Sequence, residues 1–138
     1  LPAPLLKLIY KIKGPDRIAL ITDAMRAADM PKGDSVLGSF KNGLKVIVED
    51  GVAKLPDRTS FAGSVATADR LVRTMLNLAE VPLVETIQMI TETPARIMGV
   101  SDRKGSLTKG KDADVVIFDD QIEVQQTFVK GQSVYQKN

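Results

Sequence analysis

The sequence contains no cysteine and no histidine, and these two absences exclude several kinds of chemistry. Without cysteine there is no disulfide and no thiol nucleophile. Without histidine there is no imidazole to act as a general base or as a metal ligand. Aspartate and glutamate are therefore the candidate groups for proton transfer or metal binding.

Aromatic residues and an excess of one charge are also scarce. Only 4% of the residues are aromatic, and 19 basic residues against 17 acidic ones leave a net charge of +2. Because no basic run is interleaved with aromatic side chains, we expect no nucleic-acid partner. No apolar stretch reaches the roughly 18 residues of a spanning helix, so we expect no membrane and a cytoplasmic location.

The 138 residues are 43% hydrophobic, which is enough for one ordinary core. The chain begins with Leu1, not methionine, and enters helical periodicity almost at once. We therefore expect it to be part of a longer protein.

The first 25 residues follow a pattern typical of an α/β unit. Apolar residues at helical spacing predict a helix over residues 4–13, and Gly14-Pro15 ends it. The apolar run 18–21 predicts a strand buried in a parallel sheet, which places Asp23 at its carboxyl end, where α/β folds carry their chemistry. Alternatively, Thr22 or Asp23 caps a short helix over residues 24–28.

The middle of the chain predicts a hairpin followed by helices. Two apolar runs, 44–48 and 52–55, flank Asp50-Gly51, a pair favoured in hairpin turns. A polar loop over residues 58–64 then opens an amphipathic helix that continues to residue 79, with Ser64 as an ordinary N-cap in the simplest interpretation. A second helix follows Pro82, and Thr93 is the predicted N-cap of a third that Gly99 closes.

Beyond Gly99 the spacing changes to short strands separated by glycine, lysine and aspartate turns. We predict a domain of residues 1–104 and the C-terminal strands of a second, small β-domain in residues 105–138. The segment from Gly105 to Asp112 nearly matches a phosphate-binding loop, but Asp112 replaces the hydroxyl residue and a strand follows, so we interpret it as a turn. The aspartate pairs 112/114 and 119/120 are interpreted as solvated turn residues.

Four blocks of the sequence stand in an order and spacing that can be compared with known families. The blocks are Ile21-Thr22-Asp23-Ala24-Met25, Phe61-Ala62-Gly63-Ser64, residues 93–99 and residues 104–114. Together they resemble the C-terminal part of the N-acetylglucosamine-6-phosphate deacetylases of the amidohydrolase superfamily. The last two blocks belong to the wider superfamily, whereas the first two point to the deacetylases.

The resemblance implies an α/β fold, namely the C-terminal part of a (β/α)8 TIM-type barrel with strands of a small β-sandwich. Residues 1–104 would supply the last barrel strand, a hairpin insertion and closing helices, and residues 105–138 the sandwich strands. Asp23 would be the catalytic proton-transfer residue, adjacent to a divalent zinc or iron ion. Phe61, Ala62, Gly63 and Ser64 would bind the amino-sugar phosphate substrate. The metal ligands are expected upstream of Leu1, with none in this chain, and a homodimer is expected.

Two alternatives remain open from the sequence. One is a non-catalytic α/β binding module derived from such a barrel, which the absence of histidine favours. The other is an amidohydrolase that acts on a different amide. In either enzyme interpretation we expect this chain alone to be inactive.

Overall fold

The computed structural model describes residues 1–137, which form four α-helices, one short 3-10 helix (Pro15–Arg17) and two antiparallel sheets. This mixed α/β structure contains two compact units, one made of Leu1–Leu20 with the chain from Val72 onward, and the other of Ile21–Leu71. Among the described residues, no helix combines the length and apolar character needed to cross a bilayer. The predicted two-domain division stays a prediction.

The first unit contains the helices and a three-stranded antiparallel sheet. Its apolar core has four buried residues, Met75, Ala79, Val81 and Met89, against which Tyr10 and Leu20 pack, among others. The helices are α1 (Ala3–Lys13), α2 (Ala68–Asn77, which begins in the other unit), α3 (Leu83–Ile90) and α4 (Glu92–Ile97); the strands are β5 (Val115–Phe118), β6 (Val124–Val129) and β7 (Gln132–Gln136).

The second unit is a four-stranded meander, in which each strand pairs with the next one along the chain. Its strands are β1 (Gly33–Leu37), β2 (Leu44–Glu49), β3 (Val52–Lys54) and β4 (Phe61–Gly63). As predicted, the hairpin between β2 and β3 turns at Asp50-Gly51, where both residues have positive φ. A core of Met25, Ala27, Val46, Val48, Ala53 and Val65 lies within this unit.

The strand predicted over residues 18–21 is not formed. Ile18 has an extended backbone, and the Leu20 N–H donates to the Met89 carbonyl, but no strand pairs with this segment within residues 1–137. Ile21 is 72% exposed, although its apolar character suits a buried strand. A β-strand requires hydrogen bonds to a neighbouring strand, and no such neighbour lies within residues 1–137. Residues 18–21 are therefore not part of a sheet.

Two helix starts were predicted at the wrong residues. Helix α2 begins at Ala68, so Ser64 is not its N-cap; the Ser64 hydroxyl accepts from the Ala66 N–H instead. Helix α4 begins at Glu92, and Thr93 lies inside its first turn, where its hydroxyl donates to the Pro15 carbonyl. Each hydroxyl is hydrogen-bonded to a backbone group outside the predicted cap position, so neither side chain caps its helix.

The segment after α4 is held close to that helix by Gly105. A Cβ added at Gly105 would lie 2.8 Å from the Ala95 Cβ and 3.1 Å from the Glu92 Cα, and φ is +90°. Gly110 has a similar φ of +94°, but a Cβ there would meet nothing within 4 Å. Comparing an alanine substitution at each glycine therefore separates the cost of backbone strain, which both share, from the cost of steric contact, which only Gly105 has.

We expect Gly105→Ala to lower the free energy of unfolding of the intact protein by about 2–4 kcal/mol, since strain and overpacking add. Gly110→Ala should cost only about 1 kcal/mol, from strain alone. Urea unfolding of both variants measures the difference. Equal losses would show that the close approach to α4 is unimportant for stability.

Candidate functional site

Asp23 has a left-handed backbone, with φ of 45°, and it is exposed. Non-glycine residues in this region are uncommon, and they concentrate at functional sites, although aspartate tolerates the conformation better than most. Among residues 1–137, no side-chain hydrogen bond or ion pair engages the Asp23 carboxylate. The group is therefore available to a ligand.

The helix-cap interpretation of Asp23 is wrong. Residues 26–29 form a turn, with the Ala28 N–H donating to the Met25 carbonyl, and no helix starts in residues 24–28. The Met25 N–H, which a capping aspartate would bind, donates instead to the Ser64 carbonyl at 2.9 Å. The carboxylate thus has no capping role.

Phe61, Ala62 and Gly63 form strand β4, not the loop that the sequence predicted. Ala53 pairs with Gly63 and Lys54 with Phe61, with a register shift between the two pairs. Small residues permit this close backbone approach, but nothing local in the sequence shows that the edge of β3 is free to accept them. The Phe61 side chain is 77% exposed, whereas Ala62 packs against the core of the unit.

The two candidate segments meet directly. Ala24 forms a parallel bridge with Ser64, so the residue after Asp23 pairs with the residue after β4. This pairing brings Asp23 and the Phe61–Ser64 segment to neighbouring positions, although they are far apart in the sequence. Their proximity is the arrangement that a catalytic carboxylate beside a substrate-binding segment requires.

An ion-pair cluster lies at the other end of β4. Arg58 donates to both Glu49 oxygens, at 2.9 and 3.2 Å, and Lys54 contacts Glu49 at 3.2 Å and Asp50 at 2.9 Å. The Arg58 and Lys54 hydrogen bonds hold the pKa of Glu49 below its ordinary value of 4.5. An open cavity of about 410 Å³ borders this cluster, lined by Lys54, Arg58, Thr59, Ser60 and Phe61. Asp23 is not among its lining residues.

Residues 8–134 match the family described as the amidohydrolase family. An N-acetylglucosamine-6-phosphate deacetylase of Lysinibacillus sphaericus is 39% identical over 96% of this chain and 33% of its own length. A putative N-acetylgalactosamine-6-phosphate deacetylase of Escherichia coli K12 is 42% identical over 85% of this chain and 67% of its own length.

Solved structures of deacetylases are also similar to this chain. The chain is similar to N-acetylglucosamine-6-phosphate deacetylase from Thermotoga maritima, with a TM-score of 0.86 and 30% identity over 99% of this chain and 36% of that one. It is also similar to an aspartate-to-alanine mutant of the Mycobacterium smegmatis deacetylase in complex with N-acetyl-D-glucosamine 6-phosphate. For this structure the TM-score is 0.85 and the identity is 30%, and the match covers 97% of this chain and 35% of that one. The chain thus spans about a third of the length of most of these relatives.

The depressed pKa of Glu49 predicts a loss of stability in acid. A carboxyl whose pKa is lowered on folding contributes stability above its unfolded value, and this contribution disappears as the pH falls through the folded pKa. We expect the urea midpoint of the intact protein to fall between pH 6.5 and pH 3.5, and Arg58→Gln to reduce that fall. An unchanged pH dependence in the variant would show that the Arg58 contact does not set the Glu49 pKa.

Proposed function

The chain belongs to the amidohydrolase family, and from this premise we propose that it is the C-terminal part of a metal-dependent deacetylase. The substrate is an N-acetylated amino-sugar 6-phosphate, first of all N-acetylglucosamine 6-phosphate, as named for several relatives. The products are the free amino-sugar phosphate and acetate. The observation that carries the proposal is the bridge between Ala24 and Ser64, which sets Asp23 beside Phe61–Ser64.

Asp23 is the proposed proton-transfer residue. An amide nitrogen leaves poorly until it is protonated, so the reaction needs a group that takes a proton from the attacking water and gives it to the nitrogen. As the water oxygen bonds to the carbonyl carbon, the Asp23 carboxylate accepts the water proton. It then donates that proton to the nitrogen as the carbon–nitrogen bond breaks. An exposed, unpaired carboxylate suits both steps.

Phe61, Gly63 and Ser64 are proposed to hold the sugar phosphate next to Asp23. Phe61 presents an exposed ring, and the backbone of Gly63 and Ser64 adjoins the Asp23 segment through the Ser64 bridge. Ala62 takes part through its backbone, since its side chain packs against the core. Binding groups distant from the reacting bond act mainly by orienting it.

The residues of this chain do not fit a metal by themselves. The sequence has no histidine or cysteine, and within residues 1–137 no three acidic side chains are grouped closely enough to hold an ion. When bound, a divalent metal such as zinc or iron supplies a more acidic water. We propose that its ligands lie in the part of the protein that corresponds to the remaining two-thirds of the relatives. The (β/α)8 barrel and β-sandwich, the homodimer and the cytoplasmic location belong to the same proposal.

A second substrate has specific support. The Escherichia coli relative, which is 42% identical to this chain, bears the name putative N-acetylgalactosamine-6-phosphate deacetylase, and its named substrate is the epimer of N-acetylglucosamine 6-phosphate. Assays of acetate release from both 6-phosphates by the intact protein distinguish the epimers. Release from neither would support the non-catalytic module or an amidohydrolase of different substrate.

Asp23→Asn in the intact protein should lower kcat about a hundredfold or more, with metal content and KM nearly unchanged. General acid–base groups contribute on the order of 10²–10⁴-fold, and an amide cannot transfer the proton. Asparagine also tolerates a positive φ, so the backbone at φ 45° is preserved. Steady-state kinetics with metal analysis measure the effect.

The outcomes separate three roles. A variant that purifies with less metal and regains rate on metal addition would make Asp23 a ligand. Near-normal kcat with full metal content would remove Asp23 from the catalytic residues. As a control, Asp29→Asn changes an exposed aspartate that also has positive φ, at 60°, and should leave kcat unchanged.

The 138-residue chain alone should neither bind zinc tightly nor release acetate, because carboxylates alone are weak ligands for this ion. Titration calorimetry of the purified chain measures the affinity. Sub-micromolar binding would show that the chain carries its own metal site.

A further inference from the structure

We propose that Met25 is a positioning residue that sets the distance between Asp23 and the Gly63-Ser64 backbone. This inference rests on the proposed deacetylase function, in which Asp23 moves the proton and residues 61–64 hold the substrate. Met25 itself does not touch the reacting atoms in this account. It acts through the two segments that it joins.

The backbone of Met25 makes the first link. Its N–H donates to the Ser64 carbonyl at 2.9 Å, directly beside the bridge between Ala24 and Ser64. Asp23 lies two residues before this hydrogen bond. A shift of Met25 therefore moves the Asp23 backbone and the Ser64 carbonyl relative to each other.

The side chain of Met25 makes the second link, through Gly63. A Cβ added at Gly63 would lie 3.1 Å from the Met25 Sδ and 3.6 Å from its Cγ. Gly63 is not among the glycines with positive φ, so its backbone does not itself require glycine. The Met25 thioether thus occupies the space beside residue 63, and the pair fits because one side chain is long and the other is absent.

The core below fixes Met25 in place. The residue is only 8% exposed and belongs to the buried cluster that includes Val46, Ala53 and Val65, the last of which follows Ser64 in the chain. Protein cores are close-packed, so the thioether cannot move freely away from Gly63. The distance between the two candidate segments is consequently determined by the packing of one methionine.

Substitution of Met25 in the intact protein tests this role. Met25→Ala should lower kcat for acetate release from N-acetylglucosamine 6-phosphate about tenfold or more, because small misplacements of reacting groups are costly. Met25→Leu, which keeps the volume, should remain within about threefold of wild type. The pH profile of kcat should keep its shape in both, since Asp23 is displaced but not replaced.

Val81→Ala is the matched control. Val81 is 2% exposed and belongs to the core of the first unit, which contains neither Met25 nor Gly63, so its truncation lowers stability without loosening the packing around Met25. We expect Val81→Ala to lower the urea midpoint but to leave kcat near wild type. An equal fall of kcat in Met25→Ala and Val81→Ala would overturn the positioning role.

A reciprocal pair provides a second test that does not depend on the folding of Met25→Ala. Gly63→Ala places its methyl against the Met25 Sδ and should reduce kcat/KM, whereas Gly63→Ala combined with Met25→Val removes the sulfur and should recover part of the loss. Such non-additivity is expected only for residues in contact. Additive losses in variants of an active wild-type protein would overturn the inference alone.

If the wild-type protein releases no acetate from either epimer, the proposed function and this inference are both overturned. The two failures are therefore distinguishable.

Discussion

The parallel pairing of Ala24 with Ser64 is the constraint on which the candidate site depends. The meander of β1 to β4 returns the chain to the segment that it left after Asp23, and the Met25 hydrogen bond to Ser64 closes that return. Without this closure, Asp23 and Phe61–Ser64 would be two unrelated surface features. The site is therefore a product of tertiary structure within the Ile21–Leu71 unit.

Elements with local signals could be predicted from the sequence. The first helix follows from apolar spacing and a Gly-Pro stop, and the β2–β3 hairpin follows from Asp50-Gly51, since both turn residues need positive φ. The helix after Pro82 and the three C-terminal strands follow in the same way. In each case the residues that stabilise the element lie within it or next to it.

Elements that depend on distant partners could not be predicted. Strand β1 has a weak apolar pattern and exists because β2 pairs with it, and β4 exists because β3 has a free edge. Residues 18–21 show the reverse case, in which a strong strand pattern has no partner within the described chain. The deacetylase resemblance pointed to Asp23 and Phe61–Ser64 as candidate site residues, which stays a prediction. Met25 was only part of a motif in the sequence, and its contacts with Gly63 and Ser64 became visible in the structure.

The aspartates of the chain differ in a way that bears on their roles. Lys104 contacts Asp112 at 2.8 Å and also bonds Asp114, and these hydrogen bonds hold the pKa of both carboxyls below the ordinary value. The block of residues 104–114 therefore serves to fix the segment that leads into β5, where the charge of Lys104 is balanced by Asp112 and Asp114. Asp23 is exposed, unpaired among residues 1–137 and held with positive φ. A carboxylate that stabilises the structure is hydrogen-bonded or ion-paired within the protein, whereas one that transfers a proton must remain accessible to the substrate. The Asp23 carboxylate meets the second condition.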